Sequence, residues 1–214
     1  MTWGSAYDDS SGECDDRTLP VGPRALLVEV VDADEARTLA EWVRASSLAC
    51  DDVVPAASTV LLDGVTDLQL ARRVVARWSP ERSVAKPGAL VHVPVEYDGA
   101  DLPRVADLWQ VSVDEVVTRH TSLEFVSSFT GFAPGFAYLT GLASAWSVGR
   151  LPSPRPQVPA GSVALADAWC GIYPTASPGG WLLLGRTDAV LWDLDRSDGP
   201  ALLPPGTRVR FVAV

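Results

Sequence analysis

The sequence is poor in the residues that build metal sites and covalent chemistry. It has two histidines, His92 and His120, and three cysteines, Cys14, Cys50 and Cys170. That excludes a Cys/His zinc cluster of the usual spacing and any disulfide framework. Lysine occurs once, at Lys86, before Pro87 rather than inside Gly-Lys-Ser/Thr, so a Walker-type phosphate loop is absent. No apolar run approaches the roughly 20 residues that span a bilayer. Positive charge is scarce as well. Seventeen basic residues face 27 acidic ones, a net charge of −10, which argues against nucleic acid or an anionic membrane surface as the main partner. What remains is a folded composition. Of 214 residues 47% are hydrophobic and 21% charged, with room for one large domain or two small ones.

The charge is unevenly placed. Residues 1–120 hold 21 acids and 11 bases, whereas residues 121–214 hold six of each. The second part also carries ten of the 17 prolines and 11 of the 17 glycines. Two differently built regions follow. Residues 1–19 are acidic, without the apolar stretch of a signal peptide, and are expected to form a disordered tail. Three scattered thiols fit a reducing compartment, hence a cytoplasmic location.

Hydrophobic spacing organises residues 20–96. Residues 25–31 read as a buried strand. Ala36, Leu39, Ala40 and Val43 follow at helical spacing, with acids at the helix start. Val53-Val54 and residues 59–62 are short strands. Thr66 is expected to cap a second helix whose face is Leu68, Ala71, Val75 and Trp78, and residues 90–97 form another strand. The order β-α-β-β-α-β is that of ferredoxin-like domains. Asp98-Gly99 marks the expected boundary. Two helices then lead the second domain, 97–214. Asp101 caps the first, whose face is Leu102, Val105, Leu108 and Trp109. Ser112 and Glu115 form a capping box on the second, which ends near His120. Beyond it, short apolar runs between Pro/Gly turns (123–129, 162–166, 181–184, 189–194 and 208–214) predict a small β-barrel. The fold class expected is therefore α+β.

Residues 129–187 hold nearly all the unusual chemistry. Pro134-Gly135 suits a type II turn. Its neighbours Phe132, Phe136 and Tyr138 cannot all be buried by so short a loop; they either pack on the barrel or line a pocket. Four prolines stiffen 152–159 around Arg155, a planar fork suited to a carboxylate or phosphate. Gly179 and Gly180 make a tight connection whose amides can hold an anion or a carbonyl oxygen. Arg186 is the second candidate cation. Ser162 and Ser177 lack a Gly-x-Ser-x-Gly setting, so serine catalysis is not expected. His120 reads either as a helix-terminal residue helped by the dipole or as a proton carrier at a pocket edge.

Three segments, GFAPGFAYL (131–139), PSPRPQVPAGSV (152–163) and GIYPTASPGGW…GRT (171–187), resemble the family of 5-oxoprolinase B subunits. The same family carries the descriptions allophanate hydrolase subunit 1, histidine-kinase inhibitor and carboxyltransferase subdomains C and D. The resemblance runs from about Arg24 to Val214, with one departure at Val148-Gly-Arg-Leu151, where a proline beside the arginine is expected. It implies a cyclophilin-like barrel for the second domain. It also implies a homologous barrel partner (the C subunit, of the allophanate hydrolase subunit 2 type), a separate A subunit, and the ATP-dependent opening of 5-oxoproline to glutamate. On this reading His120, Arg155, Tyr173 and Arg186 are the catalytic candidates. Phe132, Pro134, Gly135, Phe136, Tyr138, Pro159, Gly161, Ser162, Ser177, Gly179, Gly180 and Trp181 bind a small cyclic amide or urea-derived substrate. The alternative is a regulatory module that docks its acidic half on a sensor histidine kinase.

Overall fold

The structure is a computed structural model that describes residues 17–80 and 88–214. The acidic stretch 1–16 and Lys86 lie outside the described residues. Contacts divide the chain into two compact units. Among the described residues the first holds 17–54 and 58–80, and the second holds 55–57 and 88–214.

The first unit contains β1 (Thr18–Pro20), β2 (Leu26–Glu29), α1 (Ala33–Ala45), β3 (Asp52–Pro55, but for its last residue), β4 (Thr59–Asp63) and α2 (Leu68–Ala76). Its sheet has the order β1-β2-β4-β3. Helix α1 starts where the Asp32 carboxylate accepts the Glu35 amide at 2.9 Å. Ala36, Leu39, Ala40 and Val43 are all buried, as their spacing predicts, and meet Leu26, Val28, Val60 and Leu62. Helix α2 is capped by Asp67, not by Thr66: the Asp67 side chain accepts the Leu70 amide at 2.9 Å. The cap oxygen must sit three residues before that amide, and Thr66 is one residue too early.

Strand β5 (Leu90–Val95) corrects the expected domain division. It does not join the first sheet but runs parallel to β13 (Arg208–Ala213), with Leu90 opposite Arg208 and Val95 opposite Ala213. The edge beside β2 is taken instead by β1, antiparallel to it. Thr18 and Leu19, expected in the tail, are thus strand residues. A strand's own pattern states which faces are apolar but not which distant strand completes its hydrogen bonds.

The second unit continues with α3 (Leu102–Trp109), α4 (Val113–Ser122), β6 (Phe125–Thr130), β7 (Ala137–Thr140), β8 (Arg155–Val158), β9 (Ser162–Ala166), β10 (Trp169–Ile172), β11 (Ser177–Gly179), β12 (Leu182–Arg186) and β13. Its main sheet has the order β12-β9-β10-β7-β6-β13-β5. The two ends of this sheet meet: Glu96 and Arg186 exchange both backbone hydrogen bonds at 2.9 Å. Gly185 permits that approach, because a Cβ there would collide with the Glu96 carbonyl. The result is an α+β fold with a near-closed mixed barrel. Phe125, Leu139, Leu165, Ile172, Leu184 and Phe211 fill its core, and Leu102, Val105 and Val116 of the helices pack in the same cluster. Strands β8 and β11 form a separate pair.

Several local expectations change. In α3, Ala106 rather than Leu108 completes the buried face, and Leu108 is exposed. The Asp101 side chain makes no capping bond; its partners lie elsewhere, as described below. The box at α4 is half formed. Ser112 accepts the Glu115 amide at 3.1 Å, but the Glu115 carboxylate turns to Arg119 Nε at 2.9 Å. Residues 189–194, expected as a strand, contribute only an isolated bridge between Trp192 and Ala201.

Candidate functional site

The loop between β6 and β7 makes two tight turns in succession. The Ala133 amide bonds to the Gly131 carbonyl at 2.8 Å around Phe132, whose φ is +67°. This is a γ-turn of the strained, positive-φ hand. The Phe136 amide then bonds to the Ala133 carbonyl at 2.9 Å around Pro134-Gly135, with Gly135 at φ +87°, which fits the expected type II geometry. The first turn holds Phe132 outward and 59% exposed, while the second sends Phe136 inward at 2%.

Phe136 is the hub of an aromatic cluster. Its ring centroid lies 5.0 Å from Tyr138, 5.2 Å from Phe132, and 5.5 Å from both Tyr173 and Trp181, each pair edge-to-face. These five rings, together with Arg150, Pro178, Gly179 and Gly180, line a hollow of about 130 Å³. Gly179 has to be glycine here, since a Cβ would collide with the Tyr173 hydroxyl. Burial pushes the Tyr173 phenol up from its ordinary value, and a backbone bond from Trp181 opposes that shift. Tyr173 therefore stays neutral, a wall and hydrogen-bonding group rather than a base.

Arg150, absent from the residues expected at the site, is the one charged residue among the described residues that lines this hollow. Its guanidinium carbon lies 5.9 Å from the Trp181 ring centroid. Its Nε is 3.5 Å from Asp167 Oδ2, and both side chains are more than half exposed. The one signal in the sequence is the unexpected Gly-Arg pair at 149–150, which reads as a departure from the family pattern rather than as a site.

The expected catalytic set does not converge. Arg155 is a structural clamp. Its Nη2 lies 2.7 Å from both Asp101 oxygens, and its Nη1 donates to the Trp181 carbonyl at 3.2 Å. Asp101 in turn accepts the Leu183 amide at 2.8 Å. Arg186 lines a different hollow, of 680 Å³, with Glu96, Asp188 and Val214. It pairs with Glu96 at 2.6 Å and Asp98 at 3.3 Å, which hold its guanidinium pKa above the ordinary value.

His120 is fully buried, away from the solvent edge at which a proton carrier would stand. Its Nδ1 bonds to the Tyr97 hydroxyl at 2.7 Å and its Nε2 approaches the Cys170 sulfur at 3.4 Å. Either neutral tautomer satisfies both contacts. The ring stacks on Phe211 with centroids 4.5 Å apart. Burial lowers its pKa to about 3, so it is a neutral core residue.

The other expected binding residues divide by location. Pro134, Gly161 and Tyr173 line a second hollow of 550 Å³ with Thr187, Leu191 and Trp192. Phe132, Pro134 and Gly135 line a third, of 480 Å³, with Trp192 and Pro204. Ser162 is buried in β9 and its amide closes a turn to the Pro159 carbonyl at 3.4 Å; neither residue lines these hollows. The Ser177 hydroxyl oxygen is shut off from solvent without a hydrogen-bond partner.

Among the described residues, none of these four hollows gathers the cluster of basic side chains that would hold a free triphosphate. The aromatic one falls below the roughly 300 Å³ of ordinary ligand pockets. The hollow at Arg186 gathers carboxylates around its one arginine, and Asp188 is the one charged residue lining the hollow at Gly161. No helix among the described residues is long and apolar enough to cross a membrane.

A family model described as carboxyltransferase domain, subdomain C and D, matches residues 17–203. The chain is similar to the 5-oxoprolinase B subunit of Escherichia coli O157:H7, 43% identical over 159 residues, or 72% of each chain. It is 42% identical over 128 residues to the 5-oxoprolinase B subunit of Bacillus subtilis (strain 168), covering 58% of this chain and 53% of that protein. Among solved structures it is similar to TTHA0988, with TM-score 0.76 and 35% identity over 89% of this chain and 40% of that one. This chain thus spans less than half the length of TTHA0988. It shares its fold with Kluyveromyces lactis urea amidolyase, with TM-score 0.72 at 18% identity over 92% of this chain and 15% of that one. The family match and these identities agree over most of the described residues: the chain belongs to the family of 5-oxoprolinase B subunits, the carboxyltransferase domain of subdomains C and D.

Proposed function

We propose that this chain is the B subunit of an ATP-dependent complex that opens a small lactam, 5-oxoproline, to glutamate. The carrying observation is 43% identity across 72% of both chains to a protein named as the B subunit of 5-oxoprolinase. In this reaction the lactam C–N bond breaks and water adds across it, while ATP is converted to ADP and phosphate. The chain's own part is to bind and orient the ring in the aromatic hollow. It supplies no nucleophile there, because the hollow is lined by aromatic, proline, glycine and arginine residues. On this reading ATP is bound with the partners, a homologous barrel protein and a separate A subunit, since the four hollows of this chain gather no cluster of basic side chains among the described residues.

The same reading covers the domains. The sheet order β1-β2-β4-β3 with two helices supports a ferredoxin-like first domain in which β1 takes the place usually filled by the last strand. The near-closed barrel supports a cyclophilin-like second domain that begins before β5.

The test is ATP-dependent release of glutamate from 5-oxoproline by the purified proteins of the complex, with and without this chain. Release that requires the chain is expected. Release unchanged by omitting it removes the proposal.

A further inference from the structure

We propose that the aromatic hollow binds a compact ring bearing a carboxylate, and that Arg150 receives this carboxylate by exchanging it for Asp167. The proposal deepens the reading of the chain as part of a lactam-opening complex, and rests on that reading for the choice of probe.

The hollow supplies two parts of such a ligand. Its walls are the faces and edges of Phe132, Tyr138, Tyr173 and Trp181, and its 130 Å³ suits a single small ring. Among the described residues its one charged lining group is the Arg150 guanidinium, whose planar fork matches a carboxylate. A ring without an anion would leave that cation unused, and a cationic ligand would be repelled by it.

The arginine is held ready by its surroundings. Its backbone is pinned on both sides. Val148 and Asp167 exchange two backbone bonds, at 3.1 and 2.6 Å, and the Leu151 amide bonds to the Gly180 carbonyl at 2.7 Å. The side chain is held only loosely. Its bond to Asp167 is long, at 3.5 Å, and exposed to water, so it contributes little. A ligand that seats its ring against the aromatic walls gains contacts that Asp167 does not make, and so displaces it from the same fork. Asp167 therefore acts as a place-holder. It sits at φ +53° in the turn between β9 and β10, a left-handed position that aspartate and asparagine tolerate.

Phe132 adds a second sign of a binding mouth. A bulky exposed aromatic at φ +67° is costly backbone, and here it keeps a ring at the rim of the hollow. Nothing in the packing of the barrel core requires that ring.

The experiment titrates the full chain with 5-oxoproline, with its carboxamide, and with a small panel of other ring carboxylates, read by the Trp181 indole signal in NMR. 5-Oxoproline is expected to shift that signal, with the carboxamide binding about tenfold more weakly. Arg150→Gln should weaken 5-oxoproline binding about tenfold and abolish the preference over the carboxamide. Asp167→Asn keeps the left-handed turn and should tighten binding several-fold. Equal affinity for acid and amide overturns the proposal, as does an Arg150→Gln chain that binds normally or an Asp167→Asn chain that binds more weakly. Failure to bind any ring carboxylate overturns it too. If other ring carboxylates bind through Arg150 while 5-oxoproline does not, the exchange at Arg150 stands and the 5-oxoproline reading fails.

Discussion

Arg155 reaches both oxygens of Asp101 from a single nitrogen at 2.7 Å, and Asp101 takes the Leu183 amide with the same carboxylate. The pair ties the start of α3 to β8 and β12, and the Arg155 bond to the Trp181 carbonyl carries that order to the wall of the aromatic hollow. The Asp101 side chain is 9% exposed, so losing its partner strands a nearly buried charge. Arg155→Ala is expected to cost about 3 kcal/mol in urea unfolding. Arg186→Ala, whose pairs lie in solvent, should leave the unfolding midpoint unchanged. An Arg155→Ala chain as stable as the wild type would contradict the clamp.

His120 makes stability depend on pH in a definite direction. Its folded pKa is depressed to about 3, while the unfolded value is about 6.5. Between these values the unfolded chain binds a proton that the folded chain refuses, so stability falls as pH drops through 6.5 towards 3. From pH 7.5 to 5 the loss from this group should be up to about 2 kcal/mol. His120→Gln should be less stable at pH 7.5 yet show a shallower decline, read as the difference between the two chains in thermal unfolding at matched pH. Parallel declines would exclude the histidine as the source.

Phe132 predicts a separation of stability from binding. Phe132→Gly relieves a positive φ at a residue that is 59% exposed, and strain of this kind is of order 1–3 kcal/mol. Glycine also adds freedom to the unfolded chain, which offsets part of that gain. The melting temperature should therefore stay close to the wild-type value while affinity for ring ligands falls. A large drop in melting temperature would show that the ring serves packing.

Gly179 predicts that stability and binding fall together. A methyl group there collides with the Tyr173 hydroxyl. Because Tyr173 is 2% exposed, it has little room to retreat. Gly179→Ala should cost about 1–3 kcal/mol and close the hollow, whereas Gly180→Ala, whose nearest neighbours are 3.6 Å or more away, should be mild. Equal effects at the two positions would refute this account.

How much of this is legible in the sequence varies with the range of the interaction. Helix α1 can be read from Ala36, Leu39, Ala40 and Val43, because one helix turn fixes which side chains share a face. The Pro134-Gly135 turn can be read because φ preferences are local. The γ-turn at Phe132 cannot, since no propensity places a phenylalanine at positive φ. Arg155 looks functional because a stiff, proline-flanked arginine signals a held cation. Its partner Asp101 is 54 residues away, and nothing in the local pattern joins the two.

The sequence alone determined the four α-helices and the strands of strong apolar pattern, the aromatic and glycine content of residues 131–187, and the family to which the chain belongs. Those features depend on neighbours a few residues apart and on motif order. The tertiary structure decided the rest: that β5 joins β13, that Arg155 is spent on Asp101 and His120 on Tyr97, and that Arg150 faces the hollow. Each of those outcomes is a choice among distant hydrogen-bonding or charged partners, and only the closing of the barrel brings the candidates within reach of one another.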